Sequence, residues 1–129
     1  MPQLVKGGKW VFGWTIVSPD KEILIPAEAF QEYMFHQEDP VVFILGSRRS
    51  GGFGLGHRGK VTSSIIRPRI FAEGHIGKEM HVPLPSVIEI TPGTQLLVVR
   101  GSDMALSFLL KGPIVDEACL HPDLEVYRT

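Results

Sequence analysis

Cysteine is nearly absent from this sequence, which has one, Cys119, in 129 residues. A single cysteine excludes an internal disulfide framework and favours a reducing compartment. Apolar runs are also short, and none approaches the roughly 18 consecutive residues that a membrane-spanning helix needs. The first ten residues lack the apolar segment of a secretory signal. We therefore expect a cytoplasmic chain with no membrane partner.

Acidic residues are missing from residues 40–72, although the whole chain has 14 of them against 13 lysines and arginines. The same stretch holds six basic residues, so it carries +6 while the remainder carries -7. A division of this kind favours a positive surface on an acidic body, which the net charge of -1 conceals. The six basic residues are Arg48, Arg49, Arg58, Lys60, Arg67 and Arg69.

The sequence contains no group of reactive residues whose spacing predicts an active site. The five histidines are scattered, without the spacing of metal ligands, and no serine lies in a nucleophile-elbow sequence. Gly54-x-Gly56-x-x-Gly59 matches the dinucleotide fingerprint in form. That fingerprint needs a following helix, whereas residues 60–68 are rich in Ser, Thr and β-branched residues and reach a proline. We expect no enzyme activity, no metal and no cofactor.

Periodicity predicts a mainly β chain with short helices. Large apolar residues alternate over 10–16, and short apolar runs at 23–25 and 41–45 indicate two further strands. Between them, residues 27–34 follow a proline and contain good helix formers, which predicts a helix of about two turns. Residues 46–59 are rich in glycine and polar residues.

The second half of the chain repeats this order. Residues 21–26 (KEILIP) align with residues 78–83 (KEMHVP) at an offset of 57. Further along, a Gly-Ser pair followed six residues later by Phe53 aligns with a second such pair and Phe108, at an offset of 55. Such agreement in register predicts an internal duplication.

The duplication indicates one domain, because two half-sized β units bury their strands only together. We assign residues 1–129 to a single domain, with repeat one at about 9–59 and repeat two at about 67–111. Residues 112–129 then form a short C-terminal helix and a tail, whose residues 124–127 are either an edge strand or an ordered end.

Residues 20–30 (DKEILIPAEAF), with Tyr33, Asp39 and the strand 41–45, resemble the AbrB/SpoVT/MazE swapped-hairpin family. The family pattern is a basic turn, an apolar strand ending in Ile-Pro, a short helix and a Gly-Asp turn before a strand. The resemblance covers about residues 14–56 and, more faintly, 71–110. It implies a β-barrel of two interlocked hairpin units, here supplied by one chain as a pseudo-dimer, and a small DNA-binding regulator.

The chain departs from that pattern at its turns. Glu22 and Glu79 follow a lysine where the family commonly has Gly-Arg, so an arginine often used on DNA is replaced in both repeats. A glutamate facing phosphate is repulsive. The glycine of the Gly-Asp turn is Glu38 in repeat one, whereas Gly93 is kept in repeat two. The resemblance therefore supports the fold more strongly than the function.

The glycine- and arginine-rich segment 46–60 supplies a different contact surface. Arginines bind phosphates through two parallel hydrogen bonds, and backbone amides in glycine-rich turns approach anions closely. We predict a non-enzymatic DNA-binding regulator. Two alternatives stay open: an antitoxin- or adaptor-like protein-interaction barrel without DNA binding, and an anion or nucleotide binder that uses the glycine-rich loop. Association of two pseudo-dimers into a homodimer is also left open. The predicted DNA contacts are Arg48, Arg49, Arg58, Lys60, Arg67 and Arg69.

Overall fold

The structure is a computed structural model, and it describes residues 10–102 and 104–128. Within those residues it contains nine strands and three short α-helices, which confirms the prediction of a mainly β chain. The strands are β1 Val11–Ile16, β2 Glu22–Leu24, β3 Pro40–Leu45, β4 Phe53–His57, β5 Ile70–His75, β6 His81–Pro83, β7 Gln95–Arg100, β8 Leu106–Leu109 and β9 Val126–Tyr127. The helices are α1 Ala27–Glu32, α2 Arg58–Thr62 and α3 Pro113–Ala118, with 3-10 turns at Arg67–Arg69 and Lys78–Met80.

Seven strands form one mixed sheet in the order β5-β3-β4-β8-β7-β1-β9, while β2 and β6 form a separate pair. Neighbouring strands are antiparallel except β1 and β9, which are parallel. Strands β5 and β9 are the two edges of the larger sheet, so the pairings among the described residues close no barrel. The swapped-hairpin barrel stays a prediction.

The two halves of the chain exchange strands. Strand β1 pairs with β7 of the second half, and β5 of the second half pairs with β3 of the first. Two further strand pairings join the halves, β2 with β6 and β4 with β8. Phe53 pairs with Phe108, and Leu24 pairs with His81, residues that the predicted repeat aligns with each other. Neither half completes its ladders alone, so the halves share one core.

Apolar runs without alternation are explained by burial on both faces of the sheet. In β3, Val41 and Phe43 belong to the main core, whereas Val42 and Ile44 belong to a smaller cluster under α2. In β7, alternate residues contact the main core and a second small cluster under α3. Helices α2 and α3 therefore cover the face of the sheet opposite the main core, whereas α1 packs on the main core through Ala29.

Two local expectations were wrong. The alternation over 10–16 predicts that its large apolar residues share the buried face of β1, but Trp10 is exposed and Trp14 is half-buried, while Thr15 is fully buried. The Thr15 hydroxyl donates to the Leu24 carbonyl at 2.8 Å, which satisfies its polar group in the interior. Helix α2 also forms where no helix was expected, because burial of Val61 outweighs weak local propensity.

The C-terminal residues end as an edge strand. The Trp14 amide donates to the Glu125 carbonyl at 2.8 Å, and Trp14 pairs with Val126.

Burial, reinforced by Glu125, raises the pKa of Tyr127 to about 12 from 10.0. The unfolded phenol therefore ionises first as the pH rises. The stability that the protonated Tyr127 phenol contributes is therefore complete below about pH 10 and is lost as the pH rises to about 12.

Glu38 occupies a backbone conformation that favours glycine. Its φ is 72°, and Gly93, the aligned residue of the second repeat, has φ 91°. Left-handed backbone costs an ordinary residue about 1–2 kcal/mol, and glycine's greater freedom in the unfolded chain returns about 0.5–1 kcal/mol of that. We expect Glu38→Gly to raise the free energy of unfolding by about 0.5–1 kcal/mol in urea denaturation.

Gly93→Ala is the matched control for this change. No atom lies within 4 Å of a Cβ built on Gly93, so only the backbone conformation is tested. We expect this variant to lose about 1 kcal/mol. A destabilised Glu38→Gly would show that the carboxylate, and not the backbone, determines stability at this turn.

Candidate nucleic-acid interface

The turn between β3 and β4 places two arginines at the tip of a hairpin. The Ser50 amide donates to the Ser47 hydroxyl at 3.2 Å, and the Gly51 amide donates to the Ser47 carbonyl at 3.0 Å. Gly51 has φ 69°, which a glycine adopts without strain. Arg48 and Arg49 lie between the two serines and are exposed. The turn therefore presents both guanidinium groups to solvent from a hydrogen-bonded base.

Arg69 joins this turn from the 3-10 helix before β5. Its Nη2 donates to the Leu45 carbonyl at 2.5 Å. It also lines a groove together with Ser47 and Ser50. A guanidinium carries five N–H groups, so this bond orients Arg69 without exhausting its donors.

Lys111 reaches the same turn from the end of β8. The amides of Leu110 and Lys111 donate to the Ser50 carbonyl at 2.9 and 3.1 Å. Lys111 and Arg49 line a second hollow of about 330 Å³. Sequence reasoning missed Lys111 because it lies outside the acid-free stretch. The pairing of β4 with β8, and no local signal, brings it to the turn.

We define the basic turn surface as Arg48, Arg49, Arg69 and Lys111. The other predicted contacts lie elsewhere. Arg58 and Lys60 are on α2, at the far end of β4, and at about 3.3 Å per residue the five residues of β4 alone span roughly 15 Å. Arg67 is exposed two residues before Arg69, but it is not among the described residues that line the groove.

The two hollows beside the basic turn surface show which charged residues lie next to it. Among the residues that the structure describes, no aspartate or glutamate lines either hollow beside it. Asp39 precedes the start of β3, at the opposite end of that strand from the turn. The charged side chains that line these two hollows, among the described residues, are therefore all basic.

Residues 21–22 and 78–79 stand where the resembled family commonly has Gly-Arg, and here their backbone or side chains have structural roles. The Lys21 ammonium donates to the Ile88 carbonyl at 2.7 Å, and the Glu22 amide donates to the Ser18 hydroxyl at 3.0 Å. Lys21 and Glu79 have left-handed backbones, with φ 57° and 52°. Lys21 thus uses one of the three donors of its ammonium group in a structural hydrogen bond.

Two histidines lie beside Asp39 at the other end of the sheet. The Nδ1 atoms of His36 and His57 are 3.5 and 3.7 Å from Asp39 Oδ2. His57 Nε2 lies 2.9 Å from the Tyr33 carbonyl, which connects the α1–β3 loop to β4. Across residues 10–102 and 104–128, no group of three or more His, Cys, Asp or Glu is arranged to hold a metal. No helix in that part of the chain is long and apolar enough to cross a membrane.

Comparison with known proteins adds little to this geometry. No protein-family model matches the chain. No curated protein matches it. Among solved structures, the chain is similar to the solution structure of PHS018 from Pyrococcus horikoshii, with 18% identity and a TM-score of 0.35. The match covers 79% of this chain and 91% of that one. At that TM-score the likeness establishes neither fold nor function.

Proposed function

We propose that this chain is a non-enzymatic, AbrB-like DNA-binding regulator that contacts phosphates through the basic turn surface. One observation carries the proposal: four cations from three separate segments of the chain meet around the turn 46–52. Arginines bind phosphate oxygens in pairs, and each neutralised phosphate releases condensed counterions.

The proposed fold is a swapped-hairpin domain whose two units come from one chain. The exchange of β1 and β5 between the halves supports it. The pairing of the aligned residues Phe53 and Phe108 in neighbouring strands supports it as well. Under this proposal the chain has the architecture of a dimer, and both halves contribute to its contact surface, because Arg69 and Lys111 belong to the second half.

Duplex DNA suits the surface better than a single strand. Proteins that bind single strands stack bases on exposed aromatic side chains. The aromatic residues nearest the turn, Phe53 and Phe108, are 4% and 0% exposed. Contacts from the basic turn surface would therefore position the protein on the backbone, with sequence selected by groove shape or by an arginine on a base edge.

A protein partner is the second candidate. Leu45 and Leu110 are 54% and 40% exposed, and both lie in or beside the segments that carry the basic turn surface. Apolar side chains add nothing to a phosphate contact but are typical of a protein interface. An acidic, partly apolar protein surface would match this combination.

The double variant Arg48→Ala/Arg49→Ala tests the DNA proposal. We expect it to weaken binding to a random duplex at 50 mM salt by at least about tenfold in fluorescence anisotropy, because two phosphate contacts are lost. The matched control, Arg58→Ala/Lys60→Ala, removes the same charge from the other end of β4. We expect it to change affinity by less than about threefold.

Equal losses in the two double variants would indicate a non-specific charge effect and contradict the proposed location. Unchanged DNA binding in both double variants would show that the basic turn surface does not contact DNA. Absence of DNA binding by the unmodified chain, together with co-purification of an acidic protein lost in Arg48→Ala/Arg49→Ala, would favour the protein-partner function.

A further inference from the structure

A groove of about 290 Å³ crosses the β4–β8 pair on the face opposite the main core. Its floor is formed where Gly54 pairs with Ser107, and the absence of a Gly54 side chain leaves the space open. Ile66 and Arg69, from the segment between α2 and β5, also line it. The groove thus lies between the sheet and the segment that returns along it.

Both halves of the chain contribute equivalent residues to this groove. The Gly-Ser pair at the end of β3 and the one after β7 both line it, and the predicted repeat aligns these pairs. Phe53 and Phe108, which also align, line it where their strands pair. The groove therefore lies at the centre of the strand exchange, and the Gly-Ser motif gains a role that DNA binding does not explain.

The lining combines three kinds of chemistry. Ile44, Ile66 and Leu109 supply an apolar surface, and Arg69 supplies a cation oriented by the Leu45 carbonyl. Ser47 Oγ accepts from the Ser50 amide at 3.2 Å and lies 3.0 Å from Ser50 Oγ. When Ser50 Oγ is the donor of that second bond, the Ser47 proton is left to donate to a ligand. Concave sites that pair an apolar lining with a few converging polar groups are typical of small-molecule binding.

We infer that this groove binds a small phosphate monoester with an apolar body. The apolar portion lies over Gly54 and against Ile66 and Leu109, and the phosphate accepts from the Arg69 guanidinium and the Ser47 hydroxyl. A phosphate offers three acceptor oxygens, which matches a guanidinium together with a hydroxyl. The inference does not depend on DNA binding, because it concerns a different ligand and a groove of its own, although Arg69 belongs to both proposed sites.

Phenyl phosphate is the probe for this site, added to the ¹⁵N-labelled full chain and followed by amide chemical shifts. We expect saturable shifts at Gly54, Ser107 and Leu109 with a dissociation constant of about 1 mM or lower. Phenol, which lacks the anion, and inorganic phosphate, which lacks the apolar body, should each bind at least about tenfold more weakly.

Two substitutions locate the ligand. Arg69→Gln should weaken phenyl phosphate at least about tenfold, whereas Arg67→Gln, the same change two residues away and outside the lining, should leave it unchanged. Gly54→Ala places a methyl in the groove, and its Cβ would lie 3.4 Å from Ala105 Cβ, an ordinary contact that the fold accommodates. We expect Gly54→Ala also to reduce binding while amide dispersion is preserved.

Three results would overturn the inference. The first is the absence of saturable shifts with phenyl phosphate. The second is inorganic phosphate binding as tightly as phenyl phosphate, which would reduce the site to a general anion surface. The third is equal loss in Arg69→Gln and Arg67→Gln with no effect of Gly54→Ala. None of these outcomes bears on duplex DNA binding, which is measured separately.

Discussion

Phe108→Ala is expected to lower the free energy of unfolding by about 3–5 kcal/mol. Phe108 is fully buried, and its ring stacks on Phe53 with centroids 5.0 Å apart. Phe53 in turn contacts Phe43 edge to face at 5.6 Å. Truncation therefore removes buried apolar area and leaves a cavity at the point where the two halves of the chain share their core.

Urea denaturation followed by circular dichroism measures this loss. A single domain is stable by about 5–15 kcal/mol, so the variant should unfold at a much lower urea concentration than the unmodified chain. The control is Leu120→Ala, because Leu120 is 72% exposed and should change stability by less than about 0.5 kcal/mol. A loss below about 1 kcal/mol in Phe108→Ala would contradict a core shared by the halves.

Gly52→Ala is expected to destabilise the β3–β4 turn by about 3 kcal/mol. A Cβ at residue 52 would lie 1.6 Å from the Phe108 carbonyl oxygen and 2.7 Å from its carbon. Both contacts are with backbone, so no side-chain rotation relieves them. The turn must move away from β8, which breaks the bonds from the Leu110 and Lys111 amides to the Ser50 carbonyl. Arg48 and Arg49 would then separate from Lys111.

Gly59→Ala is the matched control for that substitution. No atom lies within 4 Å of a Cβ at Gly59, which is in α2, so alanine should stabilise the chain by up to about 1 kcal/mol. Urea denaturation gives the two free energies, and amide hydrogen exchange at Leu110 and Lys111 reports whether the turn has opened. A Gly52→Ala chain as stable as the unmodified one would show that the turn does not pack against β8 as described.

The sequence predicted those strands and helices in which the apolar residues follow a recognisable local pattern. Strand β3 was expected at 41–45 and is Pro40–Leu45, and α1 was expected at 27–34 and is Ala27–Glu32. The helix ends early because Met34 takes a left-handed backbone, with φ 56°. Strand β4 lies in a glycine-rich segment, and its conformation comes from pairing with β3 and β8 and not from local propensity.

The candidate site was predictable only in part, for the same reason. The acid-free stretch predicted a positive surface that includes Arg48, Arg49 and Arg69, and these three residues lie around one turn. The same stretch also grouped Arg58 with them, although Arg58 lies at the other end of β4. Distance along the sequence does not report which strand ends coincide. That is set by long-range pairing, which also brings in Lys111.

The salt dependence of duplex DNA binding tests the central claim most directly. If the basic turn surface makes three to four phosphate contacts, the plot of log affinity against log salt should have a slope of about -2.7 to -3.6. Fluorescence anisotropy with a random duplex between about 50 and 200 mM salt covers the useful range. Arg48→Ala/Arg49→Ala should make the slope shallower by about 1.8. No binding at 50 mM salt, or a slope that this double variant leaves unchanged, would contradict DNA binding through the basic turn surface.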